Sequence, residues 1–334
     1  MCSRLLLGAI AGLVMSATAG AQTLVIGNKE ANTVGFVDLA AGEMVLTRET
    51  GRGPHEVAIS PNGATAAIVA YGTGPAPGHT LELFDTAAAT SLKTIDLAPH
   101  TRPHGIAWLP DGRHLVVTTE GSGQLTLVDT EAGEVVDTVA TGEPGSHLLA
   151  LGPEAKRVYV SNLGSASFTV IDLESRRRVE TLPAGDGSEG IAVTPDGREI
   201  WVTNRAADTV MVFDAESYER KAVVEAGRMP IRVAISPDGA IAAVSNARES
   251  SLTVIDAESK EVRETVALEP SGGGQGAPVT LLFHPDGSRL FVALTRAAEI
   301  AVVETSSWQQ MDLIAAGAGS DGLGYSPLSM TQAR

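Results

Sequence analysis

The sequence predicts an all-β fold, a seven-bladed β-propeller built from four-stranded antiparallel blades. Three observations support this prediction. A prolyl turn recurs at intervals of 42 to 49 residues, four short apolar runs lie between one turn and the next, and helical periodicity is absent. Short, evenly spaced strands with a repeated turn motif are typical of propeller blades.

The prolyl turn sets the period of the repeat. Proline presets the backbone for a turn, Asp or Asn accepts hydrogen bonds from the backbone ahead, and Gly tolerates positive φ. Including a seventh proline, Pro327, successive prolines are 49, 43, 42, 42, 48 and 42 residues apart. The six complete turns are Ser60-Pro61-Asn62-Gly63, Leu109-Pro110-Asp111-Gly112, Gly152-Pro153-Glu154-Ala155, Thr194-Pro195-Asp196-Gly197, Ser236-Pro237-Asp238-Gly239 and His284-Pro285-Asp286-Gly287.

Each repeat contains four apolar runs that we interpret as strands. Around Pro195 they are residues 190–194, 199–204, 210–214 and 222–225. The third run of each repeat ends in an acid, and the seven acids are Asp38, Asp85, Asp129, Asp172, Asp214, Asp256 and Glu304. Seven acids at this one position predict seven blades.

The two ends of the chain predict how the ring closes. Only seven residues follow Pro327, too few to complete a blade, and the propeller segment begins in mid-repeat with runs at 24–28 and 33–38. We therefore expect the N-terminal strands to complete the C-terminal blade. Such closure removes open sheet edges, which promote aggregation.

The first 21 residues have the pattern of a signal peptide. Arg4 precedes an apolar run, 5–14, that is too short to span a bilayer, and Ala19-Gly20-Ala21 fits a cleavage site of small residues. We expect cleavage to leave a single propeller domain, 22–334, in the periplasm or outside the cell. The only cysteine, Cys2, lies in the leader, so this domain has no disulfide.

The composition is strongly acidic. The chain carries a net charge of −16, and removal of the leader, which contains one Arg and no acid, leaves −17. This imbalance opposes binding to nucleic acid and to anionic lipid. No apolar run after the leader is long enough to span a membrane. We therefore expect neither a nucleic-acid partner nor a membrane span after signal cleavage.

Two motifs connect the repeat to a known family. Tyr159-Val160-Ser161-Asn162 and Trp201-Val202-Thr203-Asn204 each lie between a prolyl turn and a Val-Ile-Asp or Val-Phe-Asp run. They resemble the repeats of the YVTN family of WD40-like propellers, which includes YncE-like proteins, over nearly all of the chain after the leader. The resemblance implies an exported bacterial propeller. Related propellers include lactonases, quinoprotein dehydrogenase subunits and domains of nitrogen-oxide reductases, so it implies no single function.

One position in each blade lies beside the central channel, at the start of the innermost strand and six residues before the turn proline. In order, these ring positions hold His55, His104, His147, Glu189, Ile231, Val279 and Asp321. Imidazole and carboxylate groups that converge from neighbouring strands suit Zn²⁺ or Cu²⁺. We therefore predict a metal site formed by His55, His104, His147, Glu189 and Asp321. The alternative is that these residues only line the channel.

Basic residues cluster at the same end of the propeller. Arg52 and Arg102 lie in loops that lead into innermost strands, Arg232 follows a ring position, and Glu120 follows a second strand. Because Arg pairs well with carboxylates and phosphates, we predict that these four residues contact a ligand. The alternative is a solvated rim of mixed charge.

No sequence motif identifies an enzyme. The nucleophile elbow Gly-x-Ser-x-Gly and the haem motif Cys-x-x-Cys-His are both absent. The leading hypothesis is an exported propeller that binds a small ligand, a metal ion or a periplasmic protein at the ring positions. The alternatives are a lactonase-like hydrolase that uses His or Glu as general base, and an accessory subunit of a periplasmic redox system.

Overall fold

The structure is a computed structural model that describes residues 22–331. These residues form 28 strands and no helix. Accordingly, no helix long and apolar enough to cross a membrane occurs within 22–331. The predicted leader, 1–21, lies outside the described residues.

The strands follow one another in groups of four. The first fourteen are β1 (Thr23–Asn28), β2 (Thr33–Asp38), β3 (Glu43–Glu49), β4 (Pro54–Ile59), β5 (Thr65–Gly72), β6 (Pro77–Asp85), β7 (Ser91–Asp96), β8 (Pro103–Trp108), β9 (His114–Thr119), β10 (Gln124–Asp129), β11 (Glu134–Ala140), β12 (Ser146–Leu151), β13 (Arg157–Asn162) and β14 (Ser167–Asp172). The other fourteen are β15 (Arg177–Pro183), β16 (Ser188–Val193), β17 (Glu199–Asn204), β18 (Thr209–Asp214), β19 (Arg220–Glu225), β20 (Pro230–Ile235), β21 (Ile241–Asn246), β22 (Ser251–Asp256), β23 (Val262–Ala267), β24 (Pro278–Phe283), β25 (Arg289–Leu294), β26 (Glu299–Glu304), β27 (Gln309–Ala315) and β28 (Ser320–Ser326).

These strands form seven antiparallel four-stranded sheets, which confirms the predicted propeller. Blades 1 to 6 are β4–β7, β8–β11, β12–β15, β16–β19, β20–β23 and β24–β27. Blade 7 takes its innermost strand, β28, from the C-terminal end and its other three, β1–β3, from the N-terminal end. In it Thr23 pairs with Ser326 and Ile26 with Leu323, so the predicted closure is also confirmed.

The apolar core lies between the blades. Each of seven buried clusters combines side chains from two neighbouring blades. Between blades 4 and 5, for example, Trp201 and Val212 pack in one cluster with Val244 and Ile255. Because each blade buries both faces in this way, no blade is expected to form a stable core alone.

The acid that ends a third strand forms the turn to the fourth. Asp214 Oδ1 accepts hydrogen bonds from the N–H groups of Glu216 (3.0 Å) and Ser217 (2.9 Å). Asp256 makes the same pair of bonds two and three residues ahead. These are Asx turns. These backbone hydrogen bonds hold the pKa of both carboxyl groups below the usual value. For Asp214 the bond from the Ser217 N–H has the largest effect.

Each innermost strand carries a β-bulge near its start. In blade 1, Pro54 pairs with Ala70 and Val57 with Ile68, so the two residues between Pro54 and Val57 face one residue of β5. The same two-to-one count occurs in all seven blades. A bulge redirects side chains, and here its first residue is always the ring position.

In four blades the residue opposite the bulge is a Ser or Thr that connects neighbouring blades. Ser161 accepts a bond from the Leu148 N–H in its own blade (3.1 Å) and donates one to the Glu189 carbonyl of the next (2.5 Å). The other three hydroxyls and the carbonyls they bond are Thr118 with His147, Thr203 with Ile231, and Ser245 with Val279. These bonds fix neighbouring ring positions at one height.

We expect Thr203→Val to destabilise the fold. The change nearly preserves volume but leaves the Gly190 N–H and the Ile231 carbonyl without their hydroxyl partner. Burying such unpaired groups costs about 1–3 kcal/mol, which should lower the midpoint of urea unfolding. Thr138→Val, on an exposed part of β11, is the matched control. Equal midpoints for the two variants would contradict the proposed connection.

The turn carboxylates predict how stability falls in acid. Folding lowers the pKa of Asp214, so its contribution is complete above the unfolded value of about 4 and is lost as pH falls towards the folded value. Asp214→Asn keeps the acceptor oxygen but cannot titrate. Its urea midpoint should therefore fall less than that of the wild type between about pH 5 and pH 3. The exposed neighbour variant Glu216→Gln should follow the wild type; if Asp214→Asn does too, this account is wrong.

Candidate functional site

The bulges bring three histidines into contact at one end of the channel, which we call the ring face. The ring centroids of His55 and His104 are 4.5 Å apart and nearly perpendicular, and those of His104 and His147 are 3.8 Å apart. The three residues come from β4, β8 and β12 of consecutive blades. The structure therefore places these three ring-position histidines side by side.

His147 lies between two carboxylates. Its Nδ1 is 2.8 Å from Glu120 Oε2 and its Nε2 is 3.4 Å from Glu189 Oε1. Burial by itself would lower the pKa of His147, but the two carboxylates raise it above the ordinary value. Burial opposes ionisation of Glu189 as well, yet the bond to His147 lowers the pKa of that carboxyl. The three groups thus form a charged clamp across blades 2, 3 and 4.

His55 and His104 have a different environment. His55 Nδ1 lies 3.8 Å from Asp321 Oδ2, and His104 Nδ1 lies 4.0 Å from Glu56 Oε1, too far for hydrogen bonds. Both Nδ1 atoms are buried without a partner. Burial lowers the pKa of His55 to about 4, and burial together with the nearby His147 lowers that of His104 well below its usual range. Both imidazoles are therefore neutral near pH 7.

Asp321 and Glu56 are held by cations. Lys29 Nζ is 2.9 Å from Asp321 Oδ2, and Thr280 lies 3.4 Å from its other oxygen. Glu56 is bonded directly by Arg232, a buried residue of blade 5. Because blades 1 and 5 lie on opposite sides of the ring, this ion pair spans the channel.

Tyr71 covers part of the ring face. It lies near the end of β5, stacks on His55 with 4.8 Å between centroids, and donates a hydrogen bond of 2.9 Å to Glu120. The Arg102 guanidinium lies over the tyrosine ring, 5.1 Å from its centroid. Arg102 therefore contacts Tyr71 rather than the histidines, and it donates a hydrogen bond to the Gly74 carbonyl.

The other predicted residues divide into two groups. Glu120, Glu189, Asp321 and Arg232 join the network around the histidines, whereas Arg52 is exposed and joins the neighbouring loop through its backbone carbonyl. Within 22–331, no three or more His, Cys, Asp or Glu side chains are placed so that they could hold a metal ion. The predicted metal ligands are neighbours, with ring contacts between the three histidines, Glu189 beside His147 and Asp321 beside His55.

The sequence did not identify the roles of three residues. Glu56 directly follows a ring position, and this place in the repeat was the signal that could have identified it. Arg205, whose guanidinium lies 2.6 Å from Glu189 Oε2, follows a second strand as Glu120 does. Tyr71 carried no signal, since the lengthened hairpin that places it has no counterpart in the other blades.

The asparagines at the ends of second strands are structural. Asn204 Oδ1 accepts a bond from the Gly185 N–H (2.9 Å), and Asn28 does the same with Gly317 (3.0 Å). Both side chains are fully buried. In blades 4 and 7 they fasten the loop before the innermost strand, which supports the ring residue that follows.

Comparison with known proteins agrees with this architecture. The family model of YNCE-like beta-propellers matches residues 138–233, from the outer strand of blade 2 to the inner strand of blade 5. Over these residues the chain is similar to YNCE-like β-propellers. No curated protein sequence matches it.

The chain also resembles solved structures. "Kuenenia stuttgartiensis Hydrazine Synthase" aligns with a TM-score of 0.74 at 19% identity, over 90% of this chain and 99% of that chain. At this identity the likeness establishes the fold alone. Because 1731 solved chains match, the fold does not select one function for this propeller.

The two carboxylates beside His147 lead to a direct prediction. In Glu189→Gln, one of the two carboxylates that raise the pKa of His147 is lost, so that pKa should fall. An NMR titration of the imidazole signals measures it. Glu30→Gln, an exposed residue of the same face, should leave it unchanged. A wild-type His147 that titrates below the ordinary histidine value would contradict the clamp.

Proposed function

We propose that the protein is an exported binding propeller whose ligand or partner occupies the channel mouth on the ring face. The observation that carries the proposal is the pair of buried, unpartnered Nδ1 atoms of His55 and His104. Buried polar atoms nearly always have a partner. Two unpartnered nitrogen atoms in adjoining rings support the proposal that a bound molecule forms hydrogen bonds with them.

The chemistry of the site indicates a small polar ligand. A neutral imidazole either donates or accepts a hydrogen bond, and Glu56 and Asp321 add carboxylates beside the two histidines. Imidazole nitrogen and carboxylate oxygen are also ligands of Zn²⁺ and Cu²⁺, so those ions belong to the proposal. Binding of either ion requires side-chain movement, because the donors do not converge.

The energetic cost of the network also supports a binding role. Buried ion pairs seldom stabilise a fold more than apolar packing does. The ring accepts apolar residues, since Ile231 and Val279 occupy two of its positions. Four carboxylates, Glu56, Glu120, Glu189 and Asp321, nevertheless lie around the channel. Because apolar packing is expected to stabilise the fold as well as these carboxylates do, the carboxylates support a role of the channel mouth in ligand binding.

The hydrolase alternative is less well supported. A general base needs a nitrogen that is free to take a proton from the substrate. Both nitrogens of His147 contact carboxylates, and burial lowers the pKa of His55 and of His104. None of the three histidines has the properties of a base poised near pH 7.

The test is analysis of protein purified from its native source. Elemental and small-molecule mass spectrometry should find a near-stoichiometric metal or molecule, and the mature chain should begin at Gln22. His55→Ala/His104→Ala should lose the bound species. His114→Ala, whose histidine lies at the opposite end of blade 2, should retain it.

Two results would contradict the small-ligand form of the proposal. One is wild-type protein that carries nothing and takes up neither Zn²⁺ nor Cu²⁺. The other is a bound species that persists in His55→Ala/His104→Ala. A protein partner captured by the wild type and lost in that double variant would support the partner form.

A further inference from the structure

The outermost strands share a second bulge that differs in two blades. In every blade one residue of the outermost strand has no pairing partner in the third strand. Five blades place an exposed apolar side chain there: Val45, Leu92, Val136, Val179 and Met311. Blades 4 and 5 place Lys221 and Arg263 there instead. The repeat thus changes from apolar to basic at two adjacent positions.

Both basic residues line one groove. It lies between blades 4 and 5, at the end of the propeller that carries the prolyl turns, and has a volume of about 810 Å³. Arg198 and Lys260 line the same groove. Four cations from two blades therefore surround a cavity large enough for a ligand with several polar groups.

At the floor of the groove two ammonium groups share one carboxylate. Glu199 is buried, and both Lys221 Nζ and Lys260 Nζ lie 2.6 Å from its carboxylate oxygens. Lys260 also lies over the Trp201 ring, 5.1 Å from the centroid, so the tryptophan holds one of the two ammonium groups in place.

The other carboxylates of the groove are Asp196, Asp238, Asp256 and Glu258. The three aspartates each accept backbone N–H bonds within their own turns. Arg198 lies 3.6 Å from Asp196, and Arg263 bonds Asp256 directly. Turns of this kind occur around the ring, whereas Lys221 and Arg263 are particular to this groove.

We infer that this groove binds a small anion that carries phosphate or carboxylate groups, held by Lys221, Lys260 and Arg263. Lysine provides a compact charge with three donors, and arginine a planar fork that matches either group. The groove is separate from the ring face, and this inference does not depend on the function proposed above.

The test uses inorganic pyrophosphate and citrate as probes in calorimetric titrations of the full chain at low salt. The decisive variant is Lys221→Val/Arg263→Val, which restores the apolar character that the other five blades have at this bulge. The matched control is Lys156→Met, an exposed lysine at the same end of blade 3. Thermal unfolding checks that each variant is folded.

The wild type should bind at least one probe saturably, more weakly as salt rises. The double variant should bind at least tenfold more weakly, and Lys156→Met should bind as the wild type does. Preference for pyrophosphate or for citrate identifies the anionic group. If the double variant is unfolded, Arg263→Val alone replaces it, because that side chain is half exposed and pairs only with Asp256 among the described residues. No wild-type binding of either probe, or equal binding by the folded variant, would overturn the inference.

Discussion

The β-bulge at the start of each innermost strand is the constraint on which the rest of the site depends. Because two residues face one, the first is turned to the ring position, and in blades 4 and 7 the second is a glycine that approaches the next blade. The approach is close: a Cβ on Gly190 would lie 2.5 Å from the Ile231 carbonyl oxygen, and one on Gly322 would lie 2.1 Å from that of His55. Glycine at these positions is therefore required by backbone contact.

The charges of the ring face are arranged in two unlike halves. On one side His147 lies between Glu120 and Glu189, and these two carboxylates raise its pKa against the effect of burial. On the other, His55 and His104 are neutral and retain unpartnered nitrogen atoms. The first half is rigid because each member has partners across three blades, and the second has unused hydrogen-bonding capacity. A site in which one half is held in place and the other has unused hydrogen-bonding atoms is preorganised for ligand binding.

The repeat made most of the fold predictable, because one turn motif and one acid per unit fix the strands, their order and the blade number. It also placed the histidines together, since equivalent positions of neighbouring blades must adjoin. It did not predict that Arg232 bonds Glu56, because the repeat relates neighbours and says nothing about residues across the channel. Nor did it predict the clamp on His147, which depends on side-chain rotamers rather than strand position.

Blade 7 makes the folding of the whole ring depend on the end of synthesis. Its strands β1–β3 emerge first, yet their inner neighbour β28 is the last strand to be made. Until then β1 keeps an unpaired edge, because blade 7 lacks its innermost strand. A chain that is still being made, or that stops before β28, is therefore an open arc with unpaired strand edges and apolar surface at its ends. The ring can close only after the last segment has left the ribosome.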